Sequence, residues 1–203
     1  MPTCRFIQFS LLVIAAGVCS SCKSVEVQQV SQSQPVPIQE EQRSDPWVLI
    51  NSKNDTVTVL SKSAPPIVFE NAAFGAAGVK NKVRRGDDVT PLGKFLVTHI
   101  SHASKYTIFI GLNYPRPEDA ARGLSAGLIN KETYDAIVQA HRIGKTPPQT
   151  TSLGGLIGIH GVGRGSPEIH SLANWTAGCV ALTNSQIRQL ARLVRVGTHV
   201  EIQ

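Results

Sequence analysis

GGLIGIHG (residues 154–161) and, after a spacer, NWTAGCVALTNSQIRQLARLVRVGTHVEI (residues 174–202) decide the architecture of this chain. The first run is short and apolar with glycines at both ends, the pattern of a fully buried strand. GCVALT (178–183) reads as a second strand. Thr183 and Gln186 have the spacing of a capping box, and Ile187, Leu190, Leu193 and Val194 fall on one helical stripe. THVEI (198–202) then closes the domain as a strand. A strand, a spacer, a strand, a helix and a strand within 49 residues leave little room for helical crossovers.

Upstream, WVLIN (47–51) and DTVTVLS (55–61) are β-rich runs around a polar turn, and they predict a hairpin. PIVFEN (66–71) is a third short strand. GAAGVKNKVRRGDDVTPLG (75–93) is glycine-rich and charged, and reads as loop, with Arg84 and Arg85 on a solvated turn. KFLVTHI (94–100) and KYTIFIGLNY (105–114) are strands. A short helix starts near Pro117. A longer one follows Asn130, its cap, with Tyr134, Ile137, Val138 and His141 on one stripe and Gly144 as its stop. Strands outnumber helices, so the expected class is β-rich α+β, a sandwich of mixed sheets with attached helices. No internal repeat is present.

The amino terminus constrains the compartment. Arg5, an apolar run FIQFSLLVIAAGV and small residues before Cys22 describe an export signal over residues 1–21. The run is shorter than the roughly 20 residues a membrane span needs. VCSSC (18–22) resembles a bacterial lipoprotein lipobox, with Cys19 where leucine is usual. That resemblance implies that Cys22 becomes the lipidated first residue, and that acyl chains hold the protein to a membrane on the periplasmic side. Lys23 favours the outer membrane. Residues 22–45 are rich in Gln, Ser, Pro and Glu and read as a flexible tether, leaving residues 46–203 as one domain.

The first 45 residues carry three basic and four acidic side chains, so the chain's +6 becomes +7 over residues 46–203. This charge suits an acidic partner. Nothing resembles a nucleic-acid motif or an aromatic-interleaved basic patch, so nucleic acid is not expected.

With Cys4 and Cys19 in the signal and Cys22 lipidated, Cys179 is the one free thiol expected in the mature protein. An unpaired cysteine in an exported protein is a candidate nucleophile. A thiol has a free pKa of about 8.5 and needs a base to become nucleophilic. His160, at the end of the preceding core strand, can take its proton and hold the thiolate as an ion pair. Gly178 leaves room for a substrate carbonyl, and backbone N–H groups around Ala177, Gly178 and Cys179 can receive an oxyanion. His170 in the spacer reads as a surface residue, and Trp175 as packing beside the site. His99 and His102 carry no motif. A zinc site from His160, His170 and Cys179 matches no known ligand spacing, so no metal and no other cofactor is expected.

IGIHG followed by WTAGCVALTN resembles the L,D-transpeptidase catalytic domain, the YkuD fold, whose signature is His-Gly, a spacer, then Ser/Thr-x-Gly-Cys. RRGDDVTPLGKF is similar to that family's Gly-Asp-x-x-Thr-Pro-x-Gly segment through Gly86, Asp87, Thr90, Pro91 and Gly93. The resemblance covers residues 47–203. It implies Cys179 as nucleophile, His160 as base, and Thr176, Ala177 and Gly178 as supporting and oxyanion residues. Gly161 and Arg164 are the substrate-binding candidates. The implied activity is acyl transfer through a thioester, from a peptidoglycan stem tetrapeptide to an amine acceptor. Hydrolysis of stems, cross-links or a protein tether, and non-catalytic binding of peptidoglycan, are the alternatives. Two positions depart from the commonest pattern: Ala177 stands where histidine is usual, and Ala181 where arginine is usual.

Overall fold

The computed structural model describes residues 45–203. The export signal, Cys22 and nearly all of the tether lie outside the described residues. Asp45, left in the tether by the sequence reading, is bonded to the domain. Its side chain accepts the Lys62 N–H at 3.2 Å, and its carbonyl accepts from the Arg195 guanidinium at 3.3 Å. Among the described residues no helix is long and apolar enough to cross a membrane.

The domain is β-rich, built on one eight-stranded mixed sheet. Along the chain come β1 (Trp47–Asn51), β2 (Thr56–Leu60), β3 (Ile67–Phe69), β4 (Val79–Lys80), β5 (Thr90–Pro91), β6 (Gly93–Ser104) and β7 (Thr107–Leu112). After them come α1 (Pro117–Ser125), α2 (Lys131–Arg142), β8 (Gly158–Gly161), α3 (Pro167–Leu172), β9 (Val180–Leu182), α4 (Asn184–Leu193) and β10 (His199–Ile202). The sheet order is β3-β2-β1-β10-β6-β7-β8-β9, with β4 and β5 paired separately.

Period-two burial sets the register of the first half. Val48 and Ile50 of β1 face inward beside Val59 and Val57 of β2, and pair on the other side with Val200 and Ile202 of β10. Each such side chain stabilises the fold by roughly 1.5–3 kcal/mol on burial. The same core continues through Ile110 of β7, Ile159 of β8 and Val180 of β9 to Ile187 and Leu190 of α4. The capping box of α4 is present: the Gln186 N–H donates to Thr183 Oγ1 at 3.3 Å, and the Thr183 N–H to Gln186 Oε1 at 3.0 Å. Asn130 caps α2 through the Thr133 N–H at 2.9 Å. Ile137 of α2 joins Ala120, Ile129 and Leu153 in a second, smaller core.

Two expectations need correction. The spacer between β8 and β9 holds α3, capped by Ser166 through the Ile169 N–H at 3.2 Å. Its signal, Ser-Pro-Glu, was readable, but six residues carry too little periodicity to announce a helix. The segment read as loop also contains β4 and β5, strands of two residues each.

Candidate active site

Parallel pairing of β8 and β9 builds the site. His160 stands opposite Ala181, and Cys179 lies two residues before Ala181. Residues two apart on a strand share a face, so Cys179 and His160 project from the same side of the sheet, with Cα atoms about 8 Å apart. The intervening Ile159 and Val180 point the other way, into the core. Both side chains line one open cleft of about 740 Å³, together with Tyr106, Phe109, Leu156, Trp175, Thr176 and Ala177.

The turn before β9 is held by hydroxyls. Thr176 Oγ1 donates to the Cys179 carbonyl at 2.6 Å and accepts the Gly178 N–H at 3.1 Å. Thr90, from the Thr-Pro-Leu-Gly segment, donates to the same carbonyl at 3.4 Å and accepts the Gly75 N–H at 2.8 Å. Gly178 has φ of 128°, and a β-carbon there would meet the Val89 carbonyl at 2.6 Å. Backbone conformation and packing both demand the glycine. Its N–H is engaged by Thr176, which leaves the N–H groups of Ala177 and Cys179 as the oxyanion candidates of that turn.

The imidazole is fixed from several sides. His160 is buried, and its Nδ1 donates to the Gly161 carbonyl at 2.7 Å, which puts the lone pair on Nε2. Tyr106 stacks on the ring at 4.2 Å, and Trp175 meets it edge-on at 5.8 Å. Asn184 ties down the following loop, accepting the Gly163 N–H at 2.8 Å and donating to the Gly163 carbonyl at 2.7 Å. The Trp175 indole N–H donates to His170 Nδ1 at 3.4 Å. His170 is therefore not the surface residue expected; it is buried on α3, where it braces Trp175.

Burial disfavours charge on both the thiol and the imidazole. Burial pushes the Cys179 thiol up to about 11, against the pull of the Gly158 N–H and the Lys82 ammonium. Burial holds His160 below its ordinary value; the Gly161 carbonyl opposes that shift, and His170 and Lys105 reinforce it. The thiol donates to the Leu156 carbonyl at 3.3 Å. Burial favours a neutral pair here, where the sequence suggested an ion pair.

The substrate-binding candidates lie elsewhere. Gly161 is buried, and a β-carbon there would sit 2.7 Å from the Tyr106 carbonyl and from Asn184 Oδ1. It orients His160 and has no face open to a ligand. Arg164 is exposed and lines a smaller hollow of about 390 Å³ beside the cleft. Ala181 is buried and its backbone bridges Ala73, so this position offers no carboxylate ligand.

Sequence reasoning missed three contributors. Tyr106 had no motif. The Leu156 carbonyl is backbone, which any residue supplies. Lys82 is buried and pairs with Asp87, whose carboxylate also accepts the N–H groups of Val83, Arg84 and Val89. Burial raises the Asp87 pKa, but Lys82 and the N–H groups of Arg84, Val83 and Val89 outweigh it and bring the carboxyl below its usual range. Among the described residues no group of three or more His, Cys, Asp or Glu is arranged to hold a metal ion.

The family profile of the L,D-transpeptidase catalytic domain, YkuD, matches residues 45–202. Among solved structures, the helical cell shape determining protein Pgp2 (K307A mutant) from Campylobacter jejuni is similar at 19% identity and a TM-score of 0.51, covering 80% of this chain and 48% of that one. Bdellovibrio bacteriovorus Bd1075 matches at 20% identity and a TM-score of 0.46, over 80% and 48% of the two chains. The Enterococcus faecium L,D-transpeptidase C442S mutant matches at 11% identity and a TM-score of 0.43, over 79% and 50%. The chain spans about half the length of these structures, and likeness at such identities speaks to fold alone. No curated protein matches it.

Proposed function

The chain belongs to the L,D-transpeptidase catalytic domain family, and on that premise we propose that it is a cysteine acyltransferase acting on peptidoglycan stem peptides in the cell envelope. The observation that carries this reading is the shared face of β8 and β9. It presents Cys179 and a tautomer-fixed His160 to one cleft.

The steps follow from the neutral pair. As Sγ attacks the carbonyl of the L-centre residue, its proton passes to His160 Nε2 and a C–S bond forms. The Ala177 and Cys179 N–H groups receive the oxyanion. Collapse breaks the C–N bond, and D-alanine leaves with the proton from His160. An amine then attacks the thioester and yields its proton to His160. The C–S bond breaks, and the sulfur recovers its proton from His160. No metal or cofactor takes part in these steps. The export signal, the lipid on Cys22 and the tether complete the proposal by holding the catalyst at a membrane within reach of the polymer.

Hydrolysis by the same pair is the second reading. It is favoured by one observation: Cys179 is only half-buried in an open cleft, so water can reach a thioester. Incubation with disaccharide-tetrapeptide and an amine acceptor tests both. A cross-linked product is expected; tripeptide alone indicates hydrolysis. Binding without turnover, unaffected by Cys179→Ala, overturns catalysis altogether.

A further inference from the structure

The floor of the cleft carries a straight row of residues that the mechanism uses only at one end. Gly158 of β8 pairs with Gly111 of β7, and Gly111 with His99 of β6. Extending the β8–β9 register by one residue sets Cys179 opposite Gly158 at the other end. Both middle positions are glycine, and the space over them is taken by rings. A β-carbon on Gly158 would lie 2.7 Å from Phe109 Cζ, and one on Gly111 would lie 2.2 Å from His99 Cε1. The two glycines let His99 and Phe109 lie down across the sheet. His99 and Phe109 are 5.7 Å apart, and Phe109 and His160 are 6.4 Å apart, so His99 is two rings from the proposed base.

His99 has a defined orientation. Its Nδ1 is paired with the Thr98 hydroxyl at 3.0 Å, so Nε2 is the nitrogen available to a ligand. Ser101, opposite Phe109, stands beside it on the same face. Both line the cleft with Cys179, and Lys105 lines it beside Tyr106, at the His160 end; the lining contains no aspartate or glutamate. This end of the cleft offers the His99 ring nitrogen and the Ser101 hydroxyl, with no carboxylate in the lining to engage them.

We propose that His99, with Ser101, forms the far end of the donor site and receives the free carboxylate of the γ-linked D-glutamate, the residue before the attacked one. The proposal rests on the reading of the chain as a stem-peptide acyltransferase. Lengths agree with it. Three strand spacings separate Cys179 from His99, about 14 Å between Cα atoms. Their side chains both enter the cleft and shorten that span. In the stem, about seven bonds lead from the attacked carbonyl carbon through the γ-linked residue to its carboxylate, roughly 10 Å when extended. A carboxylate bonded by an imidazole N–H and a hydroxyl gains the stronger, charge-assisted kind of hydrogen bond, which a carboxamide there does not.

The test uses two disaccharide-tetrapeptides that differ only at this group, a free carboxylate in one and a carboxamide in the other. The wild-type protein should show a KM about tenfold lower for the free acid, with similar kcat. His99→Phe keeps a ring over Gly111 and should raise the KM for the free acid to that for the carboxamide stem, levelling the two. His99→Gln keeps a donor and should retain part of the preference. A purely structural ring predicts the opposite order, with Phe tolerated on both stems and Gln harmful to both. Equal handling of the two stems by the wild type overturns this proposal and leaves acyl transfer standing. A preference that survives in His99→Phe also overturns it. Turnover of neither stem overturns the acyltransferase reading and this proposal together.

Discussion

At the scale of the residue, the site is a pair of groups that both resist charge. Burial disfavours the thiolate of Cys179, pushing the thiol up to about 11, and disfavours the imidazolium of His160, holding it below its usual 6.5. The proton therefore moves during attack, and the base must begin neutral. Acid removes that neutral form. Burial lowers the pKa of His160 from its ordinary value, so kcat/KM should fall on acidification with its half-maximal point below pH 6.5. A half-maximal point at or above 6.5 would contradict the burial argument. Alkylation of Cys179 by iodoacetamide, which needs the thiolate, should keep rising towards pH 11; a plateau by pH 9 would mean a thiol already ionised. His160→Gln should lower kcat/KM by about 10²–10⁴-fold and Cys179→Ala should abolish it, with turnover of the tetrapeptide as the assay.

At the scale of the element, loops position the nucleophile and one buried ion pair steadies them. Lys82 and Asp87 close the segment that precedes β5. That segment places Val89 under Gly178 and Thr90 against the Cys179 carbonyl. The Arg85 N–H donates to the Ser152 carbonyl at 2.8 Å, tying the same segment to the stretch that carries Leu156. Removing one partner of a buried pair strands the other, at about 3–5 kcal/mol. Asp87→Ala should lower the melting temperature by about 10 °C, and adding Lys82→Met should recover part of the loss, since no buried charge is then left alone. Asp87 titrates below its ordinary value, so its contribution is complete above pH 3.8 and is lost as pH falls through the depressed native value. Much at this scale was legible. The capping box of α4 and the cap of α2 follow from spacings of three residues, and β8 and β9 from short apolar runs. What was hidden has no local period. The Lys82–Asp87 pair joins two residues of one loop, the burial of His170 depends on a two-turn helix, and the hold on the Cys179 thiol comes from a carbonyl. His160 and Cys179 were legible as chemistry, but the burial that disfavours charge on them was not, because it is a property of the folded sheet.

At the scale of the molecule, the sheet order makes the last strand central. β10 lies between β1 and β6, pairing Val200 with both Val48 and Phe95 and Ile202 with both Ile50 and Gly93. Among the described residues it is the one ladder joining β1, β2 and β3 to the strands that carry the site. Val200 and Ile202 are buried, and the Thr198 carbonyl accepts the Val97 N–H at 2.9 Å. Ending the chain after Gly197 would therefore expose two core side chains and leave the facing edges of β1 and β6 unpaired. The edge strand β3 contrasts with it, since Ile67 and Val68 are exposed and pair only with β2. Truncation after Gly197 should abolish the cooperative melt followed by circular dichroism, and turnover with it, although no residue of the cleft is removed. Ile67→Thr and Val68→Thr should each shift stability by only about 0.5 kcal/mol. A truncated protein that melts cooperatively near the wild-type temperature would show that the half carrying β6 to β9 stands alone. The dependence of Cys179 on a strand twenty residues further along the chain would then fail.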